Sequence, residues 1–141
     1  MTGGTGGEGG TGRPGGRATR RVPFEYALLR AVPRVDRGEC VNVGVIVYCQ
    51  AHDYVGAQVY LDADRLRALD PQVDVEPISA ALEGIMAVCA GGGHAGRVRP
   101  RERFGWLTAP RSTVIQPGPV HAGLTDDPQA ELGRLLAALV R

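Results

Sequence analysis

Arg111, Ser112 and Thr113 stand together in the run APRST, and His121, Thr125 and Asp126 follow in HAGLTDD. A guanidinium can grip an anionic group with two parallel hydrogen bonds, neighbouring hydroxyls can add further bonds, and an imidazole can move a proton near a substrate. With Asn42, these residues form a polar set suited to recognition or turnover of a phosphorylated small molecule or nucleotide. A Ser/His/acid hydrolase is disfavoured, because Ser112 does not sit in a GxSxG elbow. Each residue also has a structural reading. Asn42 suits a bulge, Arg111 can tie its loop to a carboxylate, and His121 can serve local packing. Ser112, Thr113, Thr125 and Asp126 suit strand ends, turns and caps.

A second group is basic. Arg97, Arg99, Arg101 and Arg103 alternate, so in an extended backbone they share one face, and Pro100 confines such a segment to an edge strand or irregular backbone. That makes the cluster accessible to phosphate or carboxylate, or simply a solvated edge with Glu102 among its counter-charges. Trp106 follows as an anchor between this edge and the core, with a platform for a partner or substrate as its alternative role.

The elements that must position these groups come from periodicity. Cys40 to Cys49 is a β-prone run, Gln50 to Asp53 a reversal, and Val55 to Leu61 a second strand with Val55, Ala57, Val59 and Leu61 on one side. Pro23 to Pro33 reads as a further strand, with a helix starting near Pro23 as its rival, and Ser112 to Gln116 as a short fourth strand. Asp62 caps a short helix ending near Asp70. A longer helix starts near Glu76 or Pro77 and runs to Cys89, with Ile78, Leu82, Ile85, Met86 and Cys89 along one side. Asp127 and Pro128 open a last helix with a stripe of Leu132, Leu135, Leu136 and Leu139, after a loop divided by Gly118, Pro119 and Gly123. The expected architecture is α+β: a small antiparallel sheet of three to five strands with helices packed on one face.

Composition bounds the rest. Residues 1–21 hold nine glycines and few large apolar groups, so they read as a Gly-rich disordered tail, leaving 22–141 as a single domain. The tail carries four arginines against one glutamate, and the remainder twelve arginines against fourteen acids, so the basic excess belongs to the tail. Nucleic-acid binding therefore ranks third among the functions considered, since no reading helix or repeated aromatic platform accompanies the charge. Cys40, Cys49 and Cys89 read as reduced thiols, in neither CxxC nor zinc-ligand spacing, and no metal or cofactor is expected. No apolar run is long enough for a membrane helix and no signal core is evident, which makes the cytoplasm the expected location.

The segments YALLRAVP, ECVNVGVIVY, FGWLTAPRST and PGPVHAGLTDDP together resemble the bacterial DUF3037 family of small proteins, over nearly all of residues 22–141. The resemblance carries over no catalytic residue. It implies an accessory role, because such proteins are encoded beside HipA-like kinase-fold proteins in some bacteria. The leading expectation is thus a noncatalytic domain that binds a kinase-like bacterial protein through an exposed strand edge and the loop bearing Arg101, Arg103 and Trp106. The phosphorylated-ligand enzyme is the alternative. The oligomeric state is left open by these residues.

Overall fold

The structure, a computed structural model, describes residues 20–91 and 98–141. Most of the stretch read as a disordered tail, and the loop residues His94 and Arg97, lie outside the described residues.

Three strands form an antiparallel meander. β1 spans Val22–Ala31, β2 Val41–Cys49 and β3 Tyr54–Val59. The Pro23 to Pro33 segment is therefore strand rather than helix. The apolar residues of β1 and β2 fall on both sides of the pleat, so this ladder must be covered twice. On one side Leu29, Ala31, Val43, Ile46, Val55 and Ala57 pack against helices; on the other Phe24, Val45, Val47 and Cys49 do so. At residues 50–53 the chain reverses tightly, with Asp53 N–H donating to the Gln50 carbonyl at 3.0 Å and Asp53 in a left-handed conformation at φ 49°.

The far edge of β1 is shared end to end. β4, Ile115–Pro117, pairs with Leu29–Ala31, and β5, His121–Thr125, pairs with Val22–Tyr26. The sheet is thus five-stranded, with β3 at one edge and β4 and β5 together at the other. β5 corrects the expectation of a loop before the last helix.

Four helices complete the fold: α1 Ala63–Leu69, α2 Val75–Cys89, α3 Pro100–Thr108 and α4 Pro128–Leu139. Asp62, Asp74 and Asp127 each cap a helix by accepting from backbone N–H groups of the first turn. The α+β class and the antiparallel sheet agree with the sequence reading, but the placement of every helix on one face does not. Helices α1 to α3 bury Leu66, Ile78, Leu82, Ile85, Phe104 and Leu107 on one face, while α4 buries Leu132, Leu135, Leu136 and Val140 on the other. The cause is the two-sided apolar content of β2, whose successive residues Val45, Ile46 and Val47 are all fully buried.

A bulge lies between the Leu29–Gly44 and Arg30–Asn42 pairs, where Val43 is the extra residue. Gly44 is needed there, since a Cβ would come within 2.9 Å of the Gln58 carbonyl oxygen. Two expected core residues face outward instead: Met86 is 36% and Leu139 40% exposed. Leu135, by contrast, is 5% exposed inside the α4 cluster. Leu135→Ala is expected to cost about 2–5 kcal/mol in urea unfolding, and Leu139→Ala less than about 1 kcal/mol.

Candidate functional site

The basic segment that suggested an edge strand is helical. Pro100 occupies the first turn of α3, where its missing N–H costs nothing, and Phe104 and Leu107 face the sheet. The Phe104 ring stacks on Tyr48 of β2 with centroids 5.5 Å apart. Helical winding separates the arginines that an extended backbone would align.

Their roles divide accordingly. Arg103 turns inward, and one guanidinium nitrogen donates to the carbonyls of Val88 at 3.2 Å and Cys89 at 3.0 Å. These are end groups of α2, which has no basic residue in its last turn. Arg103 is therefore a clamp between α2 and α3 rather than an accessible recognition residue. Arg101 remains exposed, with no hydrogen-bond or ion-pair partner among the described residues. Arg99 is exposed too and reaches Glu102 only at 3.6 Å.

Beside the first turn of α3, the described residues leave the sheet uncovered. Pro23, Phe24, Glu25 and Ala122 form the floor of a cleft of about 280 Å³, walled by Tyr48, Gln50 and Arg101. A second hollow of about 240 Å³ is lined by Tyr48, Gln50, Asp53, Arg99 and Arg101. Arg101, Tyr48 and Gln50 belong to both, so the two hollows adjoin along the α3 wall. Sequence reasoning missed Glu25, Tyr48 and Gln50. Tyr48 shares the β2 face of Ile46, but that it lies where α3 stops covering the sheet cannot be read from periodicity.

Trp106 is not buried as an anchor. It is 52% exposed, because Phe104 and Leu107 take the inward face of this short helix. Arg99, Glu102 and Trp106 follow three- and four-residue spacing and form an outward stripe. Arg111 closes the far end, donating to the carbonyls of Trp106 at 2.5 Å and Ala109 at 3.3 Å.

The other polar residues do not join this surface. Asn42 donates from its amide to the Leu139 carbonyl at 3.2 Å, tying the β2 bulge to the end of α4. Thr113 donates to the Ile115 carbonyl at 2.7 Å, and Ser112 is exposed in the loop before β4. His121 lies opposite Tyr26, with ring centroids 5.2 Å apart, on the α4 side of the sheet. Arg111 serves the end of α3 on the other side, so Arg111 and His121 do not converge. Thr125 is 2% exposed and its hydroxyl accepts from Asp127 N–H at 3.1 Å, while Asp126 is exposed. Among the described residues, no group of three or more His, Cys, Asp or Glu could hold a metal ion, and no helix is long and apolar enough to cross a membrane.

The family model for DUF3037, described as a protein of unknown function, matches residues 26–140. The chain belongs to the DUF3037 family. No curated protein and no solved structure matches it. In this DUF3037 chain, YALLRAVP supplies the second half of β1, the NVGV segment builds the β2 bulge, and FGWLTAPRST carries the outward tryptophan and its arginine brace.

The three cysteines are free: Cys40 exposed, Cys49 buried, Cys89 half-buried. Burial pushes the Cys89 thiol up from 9.0 to about 11, partly offset by the Arg103 guanidinium. The neutral thiol is thus favoured by folding; its contribution is complete below pH 9.0 and is lost as pH rises towards about 11. With iodoacetamide at pH 8, peptide mapping should find Cys40 modified well before Cys89. Arg103→Ala should lower stability by about 1–3 kcal/mol through the two exposed α2 carbonyls, whereas Arg101→Ala should stay within about 0.5 kcal/mol in the same thermal melts.

Proposed function

We propose that this DUF3037 chain is a noncatalytic partner-binding domain whose recognition surface is the outer face of α3 together with the cleft beside it. The observation that carries this reading is Trp106, half exposed on a helix that Arg103 ties to the end of α2 and Arg111 closes at its C-terminal end. Tryptophan and arginine are among the side chains most often found at the energetic centre of protein interfaces, tryptophan through its large rigid apolar area and arginine through its planar fork of hydrogen-bond donors. A rigid helix presenting Trp106, with Arg99 and Glu102 on the same stripe, suits a partner surface that is apolar at its middle and charged at its rim.

The cleft adds a second element. Arg101 forms its wall and Glu25 its floor, both exposed. Such a pair offers an anionic and a cationic contact to one partner segment, which fixes orientation more than it adds affinity. A bacterial kinase-fold protein is the first candidate partner, on the strength of the family resemblance. Among the described residues, no nucleophile and base held within hydrogen-bond reach of each other support the enzyme alternative.

Purification of the tagged full chain from its native bacterium should recover one protein in stoichiometric amount. Trp106→Ala and Arg101→Glu should each weaken that complex at least about tenfold, with an unchanged melting temperature. A stoichiometric partner retained equally by both variants would move the interface off α3. Turnover of a phosphorylated small molecule, lost on changing Arg101, would replace the reading by the enzymatic one.

A further inference from the structure

The two edges of the sheet are treated differently by the fold. β3 packs against α2 on one face and α4 on the other, whereas among the described residues β5 makes substantial contact with β1 alone. The sequence of β5 has no protection of its own as an edge strand: its residues His121 to Thr125 include no Lys, Arg, Asp, Glu or Pro, and its register with β1 contains no bulge. Leu124 within it and Val120 just before it are 54% and 46% exposed.

The orientation of the free backbone groups follows from the ladder. Cys49 of β2 donates from its thiol to the Pro23 carbonyl, and Gly118 N–H donates to the Leu28 carbonyl on the opposite side of β1. Odd-numbered residues of β1 at this end therefore address β2 and even-numbered ones address β4 and β5. Phe24 thus bonds to its partner Gly123, which leaves the N–H and C=O of Ala122 and Leu124 pointing away from the sheet. Among the described residues the Leu124 carbonyl accepts a hydrogen bond from the Arg21 side chain alone, at 3.4 Å, and has a second lone pair to offer.

We propose that β5 is a homodimer seam: two copies pair their β5 strands antiparallel about Gly123, giving one ten-stranded sheet. In that register Ala122 of one copy and Leu124 of the other exchange both backbone hydrogen bonds, and the twofold repeats the pair, so all four outward groups of each copy are used. Side-chain sizes are self-complementary, since the exposed leucine meets an alanine and His121 meets Thr125. The two Gly123 residues meet at the axis with no side chains between them. They are glycine already for a reason within one copy, because a Cβ at Gly123 would come within 2.8 Å of the Phe24 ring.

A second copy fits better than a charged partner strand, because β5 itself holds no Lys, Arg, Asp or Glu and offers a charged strand no counter-charge of its own. The twofold stands perpendicular to the sheet, so both α3 helices lie on the same face. Leu124 of the second copy then flanks Ala122, a floor residue of the cleft, and the partner copy completes that site. A five-residue seam is small, which places the expected dissociation constant in the micromolar range.

Sedimentation velocity on the full chain from about 1 to about 200 µM tests this. The weight-average mass should rise from 14.9 kDa towards twice that value. Ala122→Pro deletes an outward N–H without touching the β1 ladder, and Leu124→Lys puts a charge on an exposed position. Each should raise the dissociation constant at least about tenfold, with an unchanged far-ultraviolet spectrum confirming the fold. A wild-type chain that stays monomeric throughout, or a dimer indifferent to Leu124→Lys, overturns the proposal.

Discussion

The β1–β2 ladder is the constraint on which the rest of the structure depends. It runs from Glu25–Tyr48 to Ala31–Val41, and both of its faces are apolar. A two-stranded ribbon with two apolar faces cannot be stable alone, so the chain must supply cover on each side. Helices α1 to α3 serve one side and α4 the other. Because β1 is longer than either β4 or β5, its outer edge takes both in succession, and among the described residues the end of the sheet beyond α3 stays open. The cleft is a consequence of that incomplete cover.

Within this frame, side chains from neighbouring elements cap the helix C-termini. Arg103 binds the last carbonyls of α2, and Asn42 and Arg65 bind those of Leu139 and Val140 at the end of α4. Neither helix carries a basic residue in its last turn, so the partial negative charge there is met from outside the helix. Such contacts cross between elements and hold them in register. They explain why several polar residues with chemical potential in the sequence have little left to offer a ligand: their hydrogen bonds are already committed to backbone.

Much of the fold was legible because its signals were local. Asp62 and Asp127 announce helices, Leu132, Leu135 and Leu136 mark a buried stripe, and the β-prone run to Cys49 announces a strand. α3 was not legible, since Arg99, Arg101 and Arg103 around Pro100 mimic an extended edge, and Phe104 with Leu107 is a weak helical signature. β5 was missed for a different reason. Its inward positions are Gly123 and Thr125, while its apolar Leu124 faces out, so the alternation runs opposite to that of a half-buried strand. The site suffered most. Tyr48, Gln50, Glu25 and Arg101 come from three separate segments, brought together by the ladder register that sets Glu25 opposite Tyr48 and by the stacking of Phe104 on Tyr48 that docks α3.

The picture that results is of a scaffold whose committed polar groups hold helices in place, leaving α3 as the rigid and chemically distinctive surface. Its tryptophan is presented outward by the same winding that buries Phe104 and Leu107. Hydrogen–deuterium exchange of the full chain, alone and saturated with whichever protein co-purifies with it, tests this account most directly. Exchange should slow across residues 99–111 on binding and stay unchanged across α4; a footprint on α4, with 99–111 exchanging as in the free chain, would contradict it.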